Sequence, residues 1–258
     1  VKKKVWITIL EKNETLGKDI FQELSRYGLQ PAGHFREDDP SGLAWAALLP
    51  ELTREDCAAW ILAGEARHFE DPALRRELSL LALCAQDAHG HGFPILLFPS
   101  GGRLTGTGLS TPLSGAEILT GGLGAKTLAR ANAKRIHPEP EYRLRPHPLP
   151  GLGLWFELGP GKDPWEGAFF GCAGSDGPAP DAHGTGVAGT LPRTAILHHP
   201  VQGMTLTLGE REFTAWGVHN PLSPAESYYV RVSGSPDALV FGPFPEEDTA
   251  EVLTLSLV

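Results

Sequence analysis

The sequence predicts two domains, an α/β domain with a mainly parallel sheet followed by an all-β antiparallel sandwich or barrel. Three observations carry this. Apolar runs of strand length alternate with helical patterns over roughly the first 134 residues. Five prolines crowd IHPEPEYRLRPHPLP at 136–150. Beyond that point the apolar period becomes two, the repeat of a half-buried strand. A chain of 258 residues suits two ordinary domains and buries a substantial core without covalent staples.

KVWITIL (4–10) is short and rich in β-branched and aromatic residues, as a buried strand is. Leu16, Ile20, Leu24 and Tyr27 follow at spacings that place them on one helical face, with Asn13 or Thr15 to cap the start and Gly28 the end. LAWAALLPEL (43–52) reads equally as a short helix broken at Pro50 or as an edge strand, and periodicity does not separate the two. CAAWILAG (57–64) is a second buried strand. Pro72 opens a helix to about Gln86 whose LSLLALCA stretch is apolar almost all round, which implies deep burial. FPILLF (93–98) is the next strand, and a further helix is expected over 113–134.

The boundaries predicted are 1–137 for the α/β domain, 138–150 for an extended proline-rich linker and 151–258 for the β domain. In the last, MTLTL, a tight turn at LGER and REFTAWGV read as a hairpin, and GLWFEL, GAFFG, SYYVRV, ALVFGPF and EVLTLSLV supply further strands.

Charge is unevenly placed. Through His137, 16 Lys and Arg balance 16 Asp and Glu, whereas from Pro138 onward 6 face 15, so the whole net charge of −9 belongs to the second half. That half lacks the basic surface that nucleic acid or an anionic membrane demands, and neither is expected as a partner. No apolar stretch reaches the roughly 20 residues that span a bilayer. VKKKVWITIL reads as a first strand rather than a leader. Cys57, Cys84 and Cys172 are an odd, widely spaced set, giving neither a disulfide framework nor a zinc site and favouring a reducing, cytoplasmic setting.

HGTGVAGT at 183–190 resembles the HGTHVAGT run around the catalytic histidine of subtilisin-like proteases, with Gly186 in place of the second histidine. The chemistry needs an aspartate and a serine as well. Asp176 lies too close to serve from a separate strand, and no GTS-x-A-x-P run follows His183. The run is therefore expected to be a glycine-rich turn, with Gly184, Gly186 and Gly189 allowing positive φ.

The first half resembles TIR domains, which have a flavodoxin-like fold. The resemblance rests on the order KVWITIL, amphipathic helix, GHFREDD, CAAWILAG, a helix containing Glu77, and FPILLF. In TIR domains that cleave NAD, a glutamate in the helix after the third strand lies in a W-C-x-x-E run; Glu77 falls at the corresponding place, with Ala73 and Leu74 where that run has Trp and Cys. What the resemblance implies is a catalytic role for Glu77, holding a ribose hydroxyl or stabilising positive charge as a glycosidic bond breaks.

Ligands of open parallel sheets sit outside the carboxyl ends of the strands. The loops there gather Glu37, Asp38, Asp39, Arg67 and His68. PSGGRLTGTG (99–108) adds Gly101 and Gly102, whose backbone amides suit a phosphate, and Arg103 as a positive charge. No GK[ST] ending makes it a P-loop. Asp87, His89 and His91 in DAHGHG precede a strand and so lie at the opposite end of the sheet; they read as a solvated turn rather than metal ligands. His198 and His199, adjacent on one segment, cannot both join His219 in a cluster. Trp155, Trp165, Trp216, Tyr228 and Tyr229 are read mainly as core, and the EED carboxylates at 246–248 as surface.

Two functions follow as expectations. The first is an intracellular binding or signalling module that recognises a protein partner or a small nucleotide without turnover. The second is a glycohydrolase acting on NAD or a nucleoside through Glu77, which requires that glutamate to face a pocket shared with Arg67 or His68.

Overall fold

The computed structural model describes residues 2–37, 43–134, 140–244 and 252–258. The chain forms two compact units, Val1–His137 and Pro138–Val258.

In the first unit the elements run β1 (Lys4–Ile9), α1 (Glu14–Arg26), β2 (Gln30–Phe35), α2 (Leu49–Leu52), β3 (Cys57–Glu65), α3 (Pro72–His89), β4 (Ile95–Ser100), β5 (Glu117–Ile118) and α4 (Leu123–Asn132). The sheet is parallel throughout, in the order β2-β1-β3-β4-β5, which is the flavodoxin-like order. Helices cover both faces. Val5, Ile7 and Ile9 of β1 and Ala59, Ile61 and Ala63 of β3 pack with Ile20 and Leu24 of α1 and Leu123 of α4. The alternate residues point the other way, toward α3, where Trp60 donates its indole N–H to Thr8 at 2.9 Å.

Local chemistry sets the helix ends. Asn13 accepts from the Leu16 amide, and Asp71 accepts from the Leu74 amide with Pro72 in the first turn. Gly90, at φ 83°, terminates α3. Inside α3 the one buried polar side chain of the LSLLALCA stretch, Ser79, bonds the Arg75 carbonyl and the Ser110 hydroxyl, both at 2.6 Å.

Two expectations are refined here. The ambiguous 43–52 stretch is helical: a 3-10 turn over Ala44–Leu48 leads into α2, with Pro50 at its first turn where no amide is needed. The helix expected over 113–134 is confined to α4. Gly121 and Gly122 have φ 158° and 67° and break any longer run, and the chain before them forms a 3-10 turn and the short β5.

The second unit is all β. It comprises β6 (Tyr142–Leu149), β7 (Gly153–Pro160), β8 (Ala168–Ala173), β9 (Ala179–Val187), β10 (Val201–Leu208), β11 (Arg211–Val218), β12 (Glu226–Ser233), β13 (Ala238–Pro243) and β14 (Leu253–Ser256). Two antiparallel sheets form, β10-β11-β8-β13-β14 and β6-β7-β12-β9. Rings meet between them: Phe156 stacks on Phe170 at 5.1 Å, and Tyr142 meets Phe241 edge-on at 5.3 Å.

Two segments differ from expectation. Most of the stretch read as a linker is β6, paired with β7 along its whole length. Its Pro146 and Pro148 are tolerated because β6 is an edge strand with one side free of ladder bonds. HGTGV is strand rather than turn. Of its neighbouring glycines only Gly189 has positive φ, 80°. A Cβ on Gly184 would lie 3.1 Å from Ala195 and one on Gly186 3.0 Å from Pro192, so these glycines admit the chain that folds back over β9. The EED carboxylates lie outside the described residues.

One backbone approach in the first sheet is unusually close: a Cβ built on Gly33 of β2 would sit 2.3 Å from the Ile7 carbonyl oxygen. Since backbone cannot step aside as a flexible side chain can, Gly33→Ala is expected to cost about 1–3 kcal/mol or more of stability. Urea unfolding checks this, and an unchanged midpoint would contradict it.

Candidate functional site

At the carboxyl end of the parallel sheet a cavity of about 320 Å³ opens between the ends of β1 and β2 and the face of α3. Its lining includes Thr8, His34, Trp45, Glu77, Leu78 and Leu81. Strand alternation puts Thr8 and His34 on the side facing α3, and Glu77, Leu78 and Leu81 share one flank of that helix. Trp45 comes from the 3-10 turn and is buried.

Arg36, the residue just past β2, reaches across to α3. Its Nε donates to Glu77 Oε2 at 3.0 Å and its Nη2 to Oε1 at 3.2 Å, a two-point grip on the carboxylate. Both side chains are mostly covered, at 20 and 25 % exposure, so this pair is less screened than an open surface ion pair. His34 stacks on Trp6 at 5.8 Å. Burial pushes its pKa down, against the opposing pull of the Glu37 carboxylate. Its Nδ1 is buried and has no hydrogen-bond partner among the described residues. The cavity thus combines aromatic walls with one ion pair.

The residues expected at the site separate into two groups. Glu77 and Glu37 line the cavity. Asp38 and Asp39 lie outside the described residues. Arg67 and His68 are not in the cavity lining. Arg67 pairs with Glu65 at 2.7 Å, and His68 Nε2 lies 3.9 Å from Glu11 across the gap between β1 and β3, where the strand order reverses. Glu77 therefore faces a pocket, but one shared with Arg36 in place of Arg67 or His68. Gly101 and Gly102 follow β4 with φ 64° and 155°, and a Cβ on Gly102 would come within 2.9 Å of Ala66. Arg75 bonds the Gly108 carbonyl and ties this glycine-rich loop to α3, while Arg103 is exposed.

Several other histidines have structural partners. His89 is buried in the last turn of α3, bonding the Leu52 carbonyl at 2.9 Å and stacking on Phe93 at 4.5 Å. His183 lies on β9 with Nδ1 2.7 Å from the Tyr228 hydroxyl and its ring edge-on to Trp216. Burial lowers its pKa, and no serine is among its bonding partners. His198 offers its backbone amide to Asn220, and His199 holds φ 43°, its ring 6.4 Å from that of His219.

Sequence reasoning missed a second polar centre. Glu157 on β7 has no exposed side-chain surface, yet it sits on the outer face of its sheet. Burial alone would push its pKa up. Bonds at 2.8 Å from His147, the Gly189 amide and the Ser227 hydroxyl, together with the Arg145 charge, outweigh that and hold it at about 2. Beside it Tyr229 donates to the Val187 carbonyl and accepts from the Thr190 amide, so the chain after β9 is pinned across this face. The available signal was an acid inside the apolar run GLWFEL.

A scan against protein-family models finds no match to this chain, and neither does a search of curated proteins.

Because the folded pKa of Glu157 lies below that of a free carboxyl, its contribution is complete above about pH 4.5 and is lost as pH falls toward 2. The size is on the order of 3 kcal/mol. Stability of the wild type should fall through that window, and Glu157→Gln should remove this component of the slope. Equal slopes for the two proteins would show that the carboxylate is not held as described.

Proposed function

We propose that the chain is a binding and interaction protein whose α/β unit takes a small planar ligand of the nucleoside or nucleotide class beside Arg36 and Glu77 without turning it over. The observation that carries this reading is the two-point grip of Arg36 on Glu77 at the rim of an aromatic-walled cavity. A carboxylate already matched by a guanidinium adds little net negative field for a developing cation, which is what glycosidic cleavage would ask of it. Aromatic walls with a few convergent polar groups are typical of small-ligand sites, and about 320 Å³ is at the low end of their size range.

The expected phosphate cradle at Gly101, Gly102 and Arg103 follows β4, three strands from β2. At about 4.8 Å per strand this is roughly 14 Å away, so a nucleoside would occupy the cavity alone, while NAD or ADP-ribose has the length to reach both. We keep the TIR-like relationship of this unit, and an intracellular signalling role, as part of the same proposal.

The second reading, a glycohydrolase acting on NAD or a nucleoside through Glu77, is favoured by one observation: Glu77 lines the cavity, on the helix after the third strand in sequence order. It would require a substrate to draw Arg36 away from the carboxylate.

Thermal unfolding with adenosine, AMP, ADP-ribose and NAD tests both. A ligand present at a hundred times its dissociation constant should add about 2.7 kcal/mol of stability. Binding without turnover is expected to appear as stabilisation by at least one of these compounds, weakened in Arg36→Ala and Glu77→Gln, with the ligand recovered intact. Hydrolysis of the bound compound by the wild type and not by Glu77→Gln would establish the glycohydrolase instead. No stabilisation by any of the four would remove the nucleotide reading and leave a protein partner.

A further inference from the structure

We infer that β10 is a self-association edge through which two copies of this chain pair, joining their five-stranded sheets into one. Four strands end the two sheets of the second unit, and three of them are protected against pairing. β6 carries Pro146 and Pro148, β9 carries Pro180 and Asp181, and β14 is four residues long. Prolines, charges and short length are the usual devices that keep an edge from recruiting another strand.

β10 lacks all three, and its one irregularity is confined to its start, where the register shifts between Val201 and Met204. Its eight residues, VQGMTLTL, contain no charge and no proline. Among the described residues it pairs with β11 alone, so its far side presents unused backbone donors and acceptors. A long, uncharged edge of this kind is a template for another strand.

The identity of the partner follows from the pattern. MTLTL reads the same way, apolar and threonine in turn, in both directions from Leu206. An antiparallel copy centred there sets Leu206 against Leu206, Met204 against Leu208, and Thr205 against Thr207. Apolar pairs then lie on one face and threonine pairs on the other, both favourable cross-strand combinations. The regular pairing is bounded by the bulge before Met204 and by the turn at Gly209 and Glu210, and no charged residue falls within the five positions between them.

Packing agrees with this. Met204, Leu206 and Leu208 are only half-buried, against a cluster formed by Phe169, Phe213 and Val240. In the paired state the second copy supplies the same three side chains to the same face, and the apolar cluster continues across the junction. A twofold axis through Leu206 closes the assembly at two copies.

The experiment is sedimentation equilibrium of the full chain as wild type, Leu206→Lys and Leu206→Glu, with unfolding curves to establish that each variant is folded. The wild type is expected to dimerise, each charged variant to be monomeric because like charges meet on the axis, and an equimolar mixture of the two variants to form a heterodimer. Amide exchange in β10 should slow as wild-type concentration rises. A wild type that stays monomeric up to about 1 mM overturns the proposal. So does a Leu206→Lys protein that still dimerises, or a folded pair of variants whose mixture fails to associate. If the variants do not fold, Thr205→Lys, at an exposed position of the same edge, replaces them and must weaken the dimer.

Discussion

Strand β3 has no exposed residue, and the first unit is organised around that fact. A strand buried on both faces needs a helical layer on each side, since one layer would leave Trp60 and Leu62 or Ile61 and Ala63 in water. Parallel neighbours then follow, because crossover helices are what supply those layers. With α1 and α4 committed to one face, α3 must cover the other, and its all-round apolar surface suits it to that place. The cavity forms where this cover ends, between the flank of α3 and strands β1 and β2.

The second unit obeys a different constraint. Its sheets face each other, so alternation sends Phe156, Phe170 and Phe241 inward, while the outward positions carry polar groups on one sheet and an apolar cluster around Phe169 and Phe213 on the other. Glu157 occupies an outward position, and burying it requires full compensation of its charge. His147, Arg145, Ser227 and the Gly189 amide provide this, and in doing so they fix the path of the chain that leaves β9. An ionised group enclosed by donors thus acts here as an anchor for the segment above it.

The two centres illustrate what local sequence can convey about a site. Glu77 was identifiable only through the resemblance to TIR domains, which places a glutamate in the helix after the strand CAAWILAG. Its partner was not. Arg36 is 41 residues away in a loop with no periodicity, and only the crossing of α3 over the end of β2 joins the two. Arg67 and His68 stand in a loop at the same end of the sheet, yet they turn toward Glu65 and Glu11. Proximity to the right end of a sheet is a property of topology, whereas sharing a cavity depends on side-chain direction and on which helix lies above.

By itself, the sequence determined the class of both units and the position of most strands, because burial on one face or two writes a period directly into the residue order. It also placed the helix starts near Asn13 and at Pro72, since the signals for a helix start lie within a few residues, while the structure decided for Asn13 over Thr15 and showed Asp71 as the second cap. Tertiary structure alone decided the rest. Pro146 and Pro148 look like linker residues until an edge position makes their missing amides harmless. Gly184 and Gly186 look like turn residues until Pro192 and Ala195 are seen to need the space. Arg36 meets Glu77, and His147 meets Glu157, through contacts between elements distant in the chain or across a ladder. Such choices are settled by which neighbours arrive, and no window of local sequence contains them.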